Sequence, residues 1–194
     1  MRKLLVAGVA AGFSLGAVAT ASANDELLVM QDNAAWWVMP NGNYDATRFS
    51  SLSHINADNV GDLKVAWTFS TGVLRGHEGG PLVIGDTMYI HTPFPNIVFA
   101  LDLNDDGRII WKYEPKQDPN VIPVMCCDTV NRGVAYGNGK IILAQADAML
   151  VALDAKTGAV AWKVKNGDPG VGATMTASPL DRKSTRLNSS HKPI

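Results

Sequence analysis

The chain has 194 residues, a formal charge of −1 and two cysteines. It is long enough for one or two domains, too evenly charged to grip nucleic acid through its phosphates, and too poor in cysteine to be a disulfide-stapled miniprotein. Past the N-terminus, no segment reaches the roughly 20 apolar residues that a membrane-spanning helix needs.

Taken in chain order, Arg2 and Lys3 precede an apolar run from Leu4 to Val18, and Ala21-Ser22-Ala23 supplies a small-residue cleavage site. Residues 1–23 therefore read as a signal peptide, with the mature chain beginning near Asn24. The run is too short for a retained anchor, and the cleavage site has no cysteine to carry a lipid. At the other end, DRKSTRLNSSH, Asp181 to His191, matches the in-frame translation of a common sequencing adapter. Residues 181–194 are therefore set aside from fold reasoning. Residues 24–180 then hold 11 basic and 17 acidic side chains, a formal charge of −6, which disfavours nucleic acid and suits a basic protein partner.

Within residues 24–180, Trp36-Trp37-Val38-Met39 reads as a strand that helps close a ring of sheets, and Asn56 is placed to cap a short helix running to Leu63. Little other helix is expected. Strands are expected over Thr87 to His91, Ile97 to Leu101, Lys140 to Leu143 and Met149 to Leu153. Trp67, Trp111 and Trp162 close successive segments at spacings of 44 and 51 residues, a period that suggests propeller blades. ALDAKTGAVAW, Ala152 to Trp162, reads A-x-D-x-x-T-G-x-x-x-W, and ALDLNDDGRIIW, Ala100 to Trp111, repeats it with one extra turn residue. Asp and Gly bend the chain, and Trp packs between neighbouring sheets. On this pattern alone a β-sandwich with recurrent hairpins stays open.

Cys126 and Cys127 are adjacent, in VMCCDTVNRG. A trans peptide holds consecutive Cα atoms about 3.8 Å apart, below the usual disulfide range of roughly 4.4 to 6.8 Å, so a bridge here distorts the backbone. Such strain gathers at functional sites. The alternative is a pair of unpaired thiols, but export to an oxidising compartment lets the ring close. His54, His77 and His91 lack metal-ligand spacing, and His77 reads as a loop or core residue. Asp102, Asp105 and Asp106 do not match an EF-hand and are explained by the A-x-D turn. There is no G-x-S-x-G and no phosphate cradle with its lysine.

The segments GNYDATRFSSLSHINADNVGDLKVAWTFSTG, GHEGGPLV, YIHTPFPN, VMCCDTVNRG and ALDAKTGAVAW together resemble the N-terminal part of the pyrroloquinoline quinone (PQQ) dependent methanol dehydrogenases. The likeness runs from about Trp37 to Leu180. The wording VLRGHEG, HTPFPNIVFALDL and WKYEPKQDPNVIPVMCCDTVNRG is more similar to the lanthanide-dependent branch than to the calcium-dependent one. The resemblance implies an all-β fold, an eight-bladed propeller with tryptophan-docked blades, of which residues 24–180 hold about the first two. It implies a periplasmic enzyme that oxidises methanol or another small primary alcohol to the aldehyde, using PQQ and a lanthanide ion, with Ca2+ the alternative, and passing electrons to a cytochrome c. The full enzyme is expected to be a homo-oligomer.

The resemblance also assigns residues. Cys126 and Cys127 match a vicinal disulfide lying against one face of the quinone, and Arg132 matches an arginine that pairs with a cofactor carboxylate. For Arg132 the alternative is a surface ion pair with Asp128. Glu78 matches a residue that contacts the quinone, the alternative being a solvated loop glutamate. Thr176 matches a threonine that hydrogen-bonds the cofactor, though the alignment can slip to Thr174. No metal ligand or catalytic residue is expected within the matched region, since the family's metal ligands and catalytic aspartate lie beyond it. Residues 24–180 alone are expected to be inactive and aggregation-prone. A haem-containing quinoprotein alcohol dehydrogenase and a non-catalytic periplasmic scaffold propeller are the alternative functions.

Overall fold

The computed structural model describes residues 24–182, 185 and 186. The signal peptide expected over residues 1–23 lies outside the described residues, as do most of residues 181–194. Two four-stranded antiparallel sheets follow one another along the chain. The first holds β1 (Leu82–Ile84), β2 (Thr87–His91), β3 (Val98–Asp102) and β4 (Arg108–Tyr113), and the second holds β5 (Val134–Gly137), β6 (Lys140–Ala144), β7 (Met149–Asp154) and β8 (Val160–Lys165). Each sheet is a simple meander, in the order β1-β2-β3-β4 and β5-β6-β7-β8. A two-residue ribbon, β9 (Asp181–Arg182) with β10 (Thr185–Arg186), comes last. Among the described residues no helix is long and apolar enough to cross a membrane.

The same local phrase builds both sheets. Ala100 pairs with Trp111 and Ala152 with Trp162, and in each case the register slips at the next residue, between Ala100 and Leu101 and between Ala152 and Leu153. Such a bulge tightens the local twist as the chain enters the A-x-D turn. In that turn of the second sheet, Asp154 Oδ1 accepts hydrogen bonds from the backbone N–H groups of Lys156 and Thr157 and from the Thr157 hydroxyl.

Strand β3, VFALD, is apolar on both faces because both are covered. Val98 and Ala100 join Leu82, Tyr89 and Trp111 in a core shared with Val134, Ile141, Leu143, Val151 and Leu153 of the second sheet. Phe99 and Leu101 pack the other way, with Ile97, against Trp67, Phe69 and Val73. A sandwich sheet packs one face on its partner and wets the other; the first sheet, covered on both faces, is packed as a propeller blade is.

Tryptophan makes each joint. The Trp111 ring lies against Gly158, where a Cβ would sit 2.7 Å from the indole, and the Trp67 ring lies against Gly107, where it would sit 2.6 Å away. Both glycines have positive φ, +72° and +74°, which Gly adopts without penalty. At the joint between the blades, Trp111 Nε1 and the Tyr89 hydroxyl both donate to the Ala155 carbonyl, at 2.9 and 3.0 Å. Burial pushes the Tyr89 phenol up to about 12, so it remains a donor at any physiological pH. Trp162 holds the matching place on β8 and is half-buried.

Two expectations need correction. Trp36–Met39 is not a strand: Trp37 and Val83 exchange backbone hydrogen bonds at 2.8 and 2.9 Å, a single bridge on the β1 edge of the first blade. Past Met39 the chain turns, with Gly42 N–H bonded to the Met39 carbonyl. Asn56 does not cap a helix, because its side chain closes a turn onto the Asp58 N–H at 3.0 Å; only Val60–Asp62 is helical, as one 3-10 turn. An unexpected short helix, α1 (Asp25–Met30), buries Leu27. Its Glu26 carboxylate accepts hydrogen bonds from the Tyr136 hydroxyl and the Asn138 N–H, at 3.1 and 2.8 Å, tying α1 to the β5–β6 turn.

Truncating the joint should show its weight. In the full-length protein, Trp111→Ala is expected to cost about 3–5 kcal/mol, because a buried indole leaves both a cavity and an unbonded carbonyl. A urea unfolding midpoint that moved by less than Tyr89→Phe moves it would contradict this.

Candidate functional site

An antiparallel blade of four strands returns the chain to the end it entered from, so every connection between blades lies on one face of the wheel. Three such segments converge there: the stretch before β1, the link from β4 to β5, and the stretch after β8. They bring Glu78, Arg132 and Thr176 together. The Arg132 guanidinium meets Glu78 Oε2 at 3.2 Å and the Thr176 hydroxyl at 3.0 Å, while its backbone N–H donates to the Thr176 carbonyl at 2.9 Å.

The β4–β5 link is held from both blades. Phe94 N–H bonds the Thr129 carbonyl at 2.9 Å, His91 Nε2 bonds the Asn131 carbonyl at 3.1 Å, and Asn131 Nδ2 bonds the Ala144 carbonyl at 2.9 Å. Asn131 Oδ1 also accepts from the Gly133 N–H. Asn131 is 1% exposed, so the backbone that leads into Arg132 is fixed even though the guanidinium reaches solvent.

That exposure decides what the Arg132–Glu78 pair is for. Both side chains are 47% exposed, and an ion pair so open to water contributes about 1 kcal/mol or less to stability. The pair is a poised donor–acceptor set facing an open cavity of about 470 Å³, whose wall also includes Trp37, Asn41, Arg48 and Ser178. Arg48, a second cation on this wall, was not singled out by the sequence; Asn41 Oδ1 holds its Nε at 3.0 Å. The anticipated alternative partner of Arg132 is engaged elsewhere: Asp128 pairs with Arg75, at 3.8 Å.

Cys126 and Cys127 lie on the same link as thiols, exposed, with their sulfurs 2.6 Å apart. Cys127 and Asp128 both take positive φ, 64° and 70°, a pair of left-handed residues that L side chains rarely adopt together. The hydrogen bond with Cys126 raises the Cys127 thiol, and the Arg132 charge opposes that rise. His77, as expected, is a loop residue, exposed and bonded to the Arg75 carbonyl and the Thr71 hydroxyl.

His91 was weighed from the sequence only as a metal ligand. Its Nδ1 is buried with no hydrogen-bond partner among the described residues. Burial is the main cause that lowers its pKa, with His77 adding to the fall and the Asn131 carbonyl opposing it.

A family model described as PQQ glucose/ethanol/alcohol dehydrogenase, beta-propeller domain, matches residues 37–183. The chain is 61% identical over 175 residues to the lanthanide-dependent methanol dehydrogenase of Methylorubrum extorquens, covering 90% of this chain and 29% of that protein. It is 49% identical over 181 residues to methanol dehydrogenase [cytochrome c] subunit 1 of Paracoccus denitrificans, again covering 90% and 29%. Among solved structures, a europium-containing methanol dehydrogenase superposes with a TM-score of 0.79 at 52% identity, over 81% of this chain and 27% of that one. The chain thus spans under a third of the length of these relatives.

The His91 environment predicts an acid-sensitive fold. The folded state holds the ring neutral while the unfolded chain takes up a proton near pH 6.5, so this stability is present above about pH 6.5 and is lost as the pH falls below it. His91→Gln, which cannot be protonated, should flatten the decline in melting temperature between about pH 7 and about pH 5. An unchanged slope would remove His91 as its cause.

Proposed function

The chain belongs to the β-propeller family of PQQ glucose/ethanol/alcohol dehydrogenases, and on that premise we propose that it is the N-terminal part of an exported quinoprotein that oxidises methanol or another small primary alcohol to the aldehyde. The observation that carries the reading is Arg132, held between Glu78 and Thr176 at the cavity.

The donor set fits PQQ, a flat quinone bearing carboxylates. Arg132 presents a planar fork that matches a carboxylate through two hydrogen bonds, and Arg48 adds positive charge on the same wall. The Thr176 hydroxyl and Glu78 carboxylate add an orientable donor and an acceptor. When bound, PQQ supplies a carbonyl carbon that accepts hydride, with a lanthanide or calcium ion as Lewis acid on its oxygen. Cys126 and Cys127 close as a vicinal disulfide in the oxidising periplasm by thiol–disulfide exchange, passing two protons and two electrons to an oxidant whose own disulfide becomes two thiols, and their compact apolar ring holds one face of the quinone. The left-handed backbone at Cys127 and Asp128 supports this closure. The metal ligands and the catalytic aspartate lie outside residues 24–180. The −6 charge of that segment suits docking of a basic cytochrome c. The close likeness to a lanthanide-dependent relative favours a lanthanide over Ca2+.

The apoprotein of the full-length enzyme, given PQQ and methanol, should reduce an artificial dye faster with La3+ than with Ca2+; dye reduction with neither would refute the reading. Reading the locus past codon 180 should reveal further tryptophan-docked blades, and an aspartate two residues beyond the catalytic one accompanies lanthanide use.

Arg132→Ala in that enzyme should weaken PQQ binding by about 1.5–3 kcal/mol, roughly 10- to 150-fold, as expected for losing charge-assisted hydrogen bonds. Unchanged quinone retention on gel filtration would refute the clamp. Opening the cysteine ring with a reductant should also release cofactor.

A further inference from the structure

His91 is the last residue of β2, 6% exposed, on the inward-facing side of the strand with Tyr89. Its ring touches both segments that carry the candidate site. On one side, Nε2 lies 3.1 Å from the Asn131 carbonyl, one residue before Arg132. A carbonyl only accepts, so Nε2 carries the proton of this hydrogen bond. On the other side, the backbone of Gly79, one residue after Glu78, lies so close that a Cβ there would overlap Nε2 and Cε1. That same Cβ would fall 3.1 Å from the Arg132 carbonyl carbon, so the two segments pass each other at the histidine ring.

The placement is expensive. Nδ1 is buried without a partner, a desolvation cost that a leucine of similar bulk would avoid. Arg132 and Glu78 lie on the two segments that the ring touches, and His77 is a titratable neighbour of it. Nothing in the packing of the blades requires a histidine here; the donor to Asn131 and the flat edge against Gly79 do.

We propose that His91 is a positioning residue of the cofactor site, fixing Arg132 through the Asn131 carbonyl and Glu78 through contact with Gly79. The inference rests on the quinone-binding reading above. It explains why Gly occupies position 79, where any side chain would displace the ring, and why the guanidinium is held ready although it reaches solvent.

The test is PQQ titration of the full-length apoprotein, followed by quenching of tryptophan fluorescence. His91→Leu should weaken binding roughly ten-fold, the scale of one buried hydrogen bond. His91→Gln, whose amide nitrogen reaches the Nε2 position, should recover most of that loss. In an Arg132→Ala background, His91→Leu should cost less than about two-fold, since leucine keeps the bulk against Gly79 and loses only the bond that acts through Arg132. Gly79→Ala keeps every polar group and drives a methyl into the ring, so it should reproduce the loss without emptying the core. Wild-type affinity in His91→Leu or Gly79→Ala would overturn the proposal. So would His91→Gln as weak as His91→Leu, or an undiminished ten-fold loss in the Arg132→Ala background. If the wild-type protein binds no PQQ, the function reading itself fails and takes this inference with it.

Discussion

The joint between blades carries the rest of the structure. An indole laid on a glycine, with its N–H and a tyrosine hydroxyl sharing the Ala155 carbonyl, sets both the spacing and the angle of successive sheets. The glycine is required twice over, once for its left-handed backbone and once because the ring leaves no room for a Cβ. Everything at the site depends on this geometry, since Arg132 enters the second blade while Glu78 enters the first.

The site itself is made of connections. Strands such as β3 and β5 bury most of their side chains, whereas the segments that join blades emerge on one face and are free to carry polar groups. The protein stiffens them with bonds to the main chain: the Phe94 N–H to Thr129, the His91 ring to Asn131 and the Arg132 N–H to Thr176. Rigid main chain under half-exposed side chains is the arrangement a binding site needs, because the cost of ordering is met before a ligand arrives.

Much of this was legible in the sequence, and the reasons are physical. The blade phrase is local: Asp and Gly in the turn, apolar strands before it and Trp after it lie within a dozen residues. The four expected strands accordingly coincide with β2, β3, β6 and β7 to within a residue. Glu78, Arg132 and Thr176 were assigned by resemblance, and the fold brings them into contact. What failed was short or non-local. Helix α1 has six residues, too few to show a helical period, and is held by Glu26 reaching Tyr136. Trp36–Met39 has the composition of a strand, but only Trp37 finds a partner. His91 is defined by what presses on it from positions 79 and 131, which no reading along the chain reveals.

The unequal spacing of the tryptophans, 44 residues and then 51, has a consequence for how such a molecule changes over time. The docking turns sit on one rim of the wheel and the ligand-bearing connections on the other, so the two are edited separately. A connection such as that from Glu114 to Gly133 can lengthen without disturbing any indole or its glycine. Ligand chemistry and architecture are thereby set on opposite rims of the same disc.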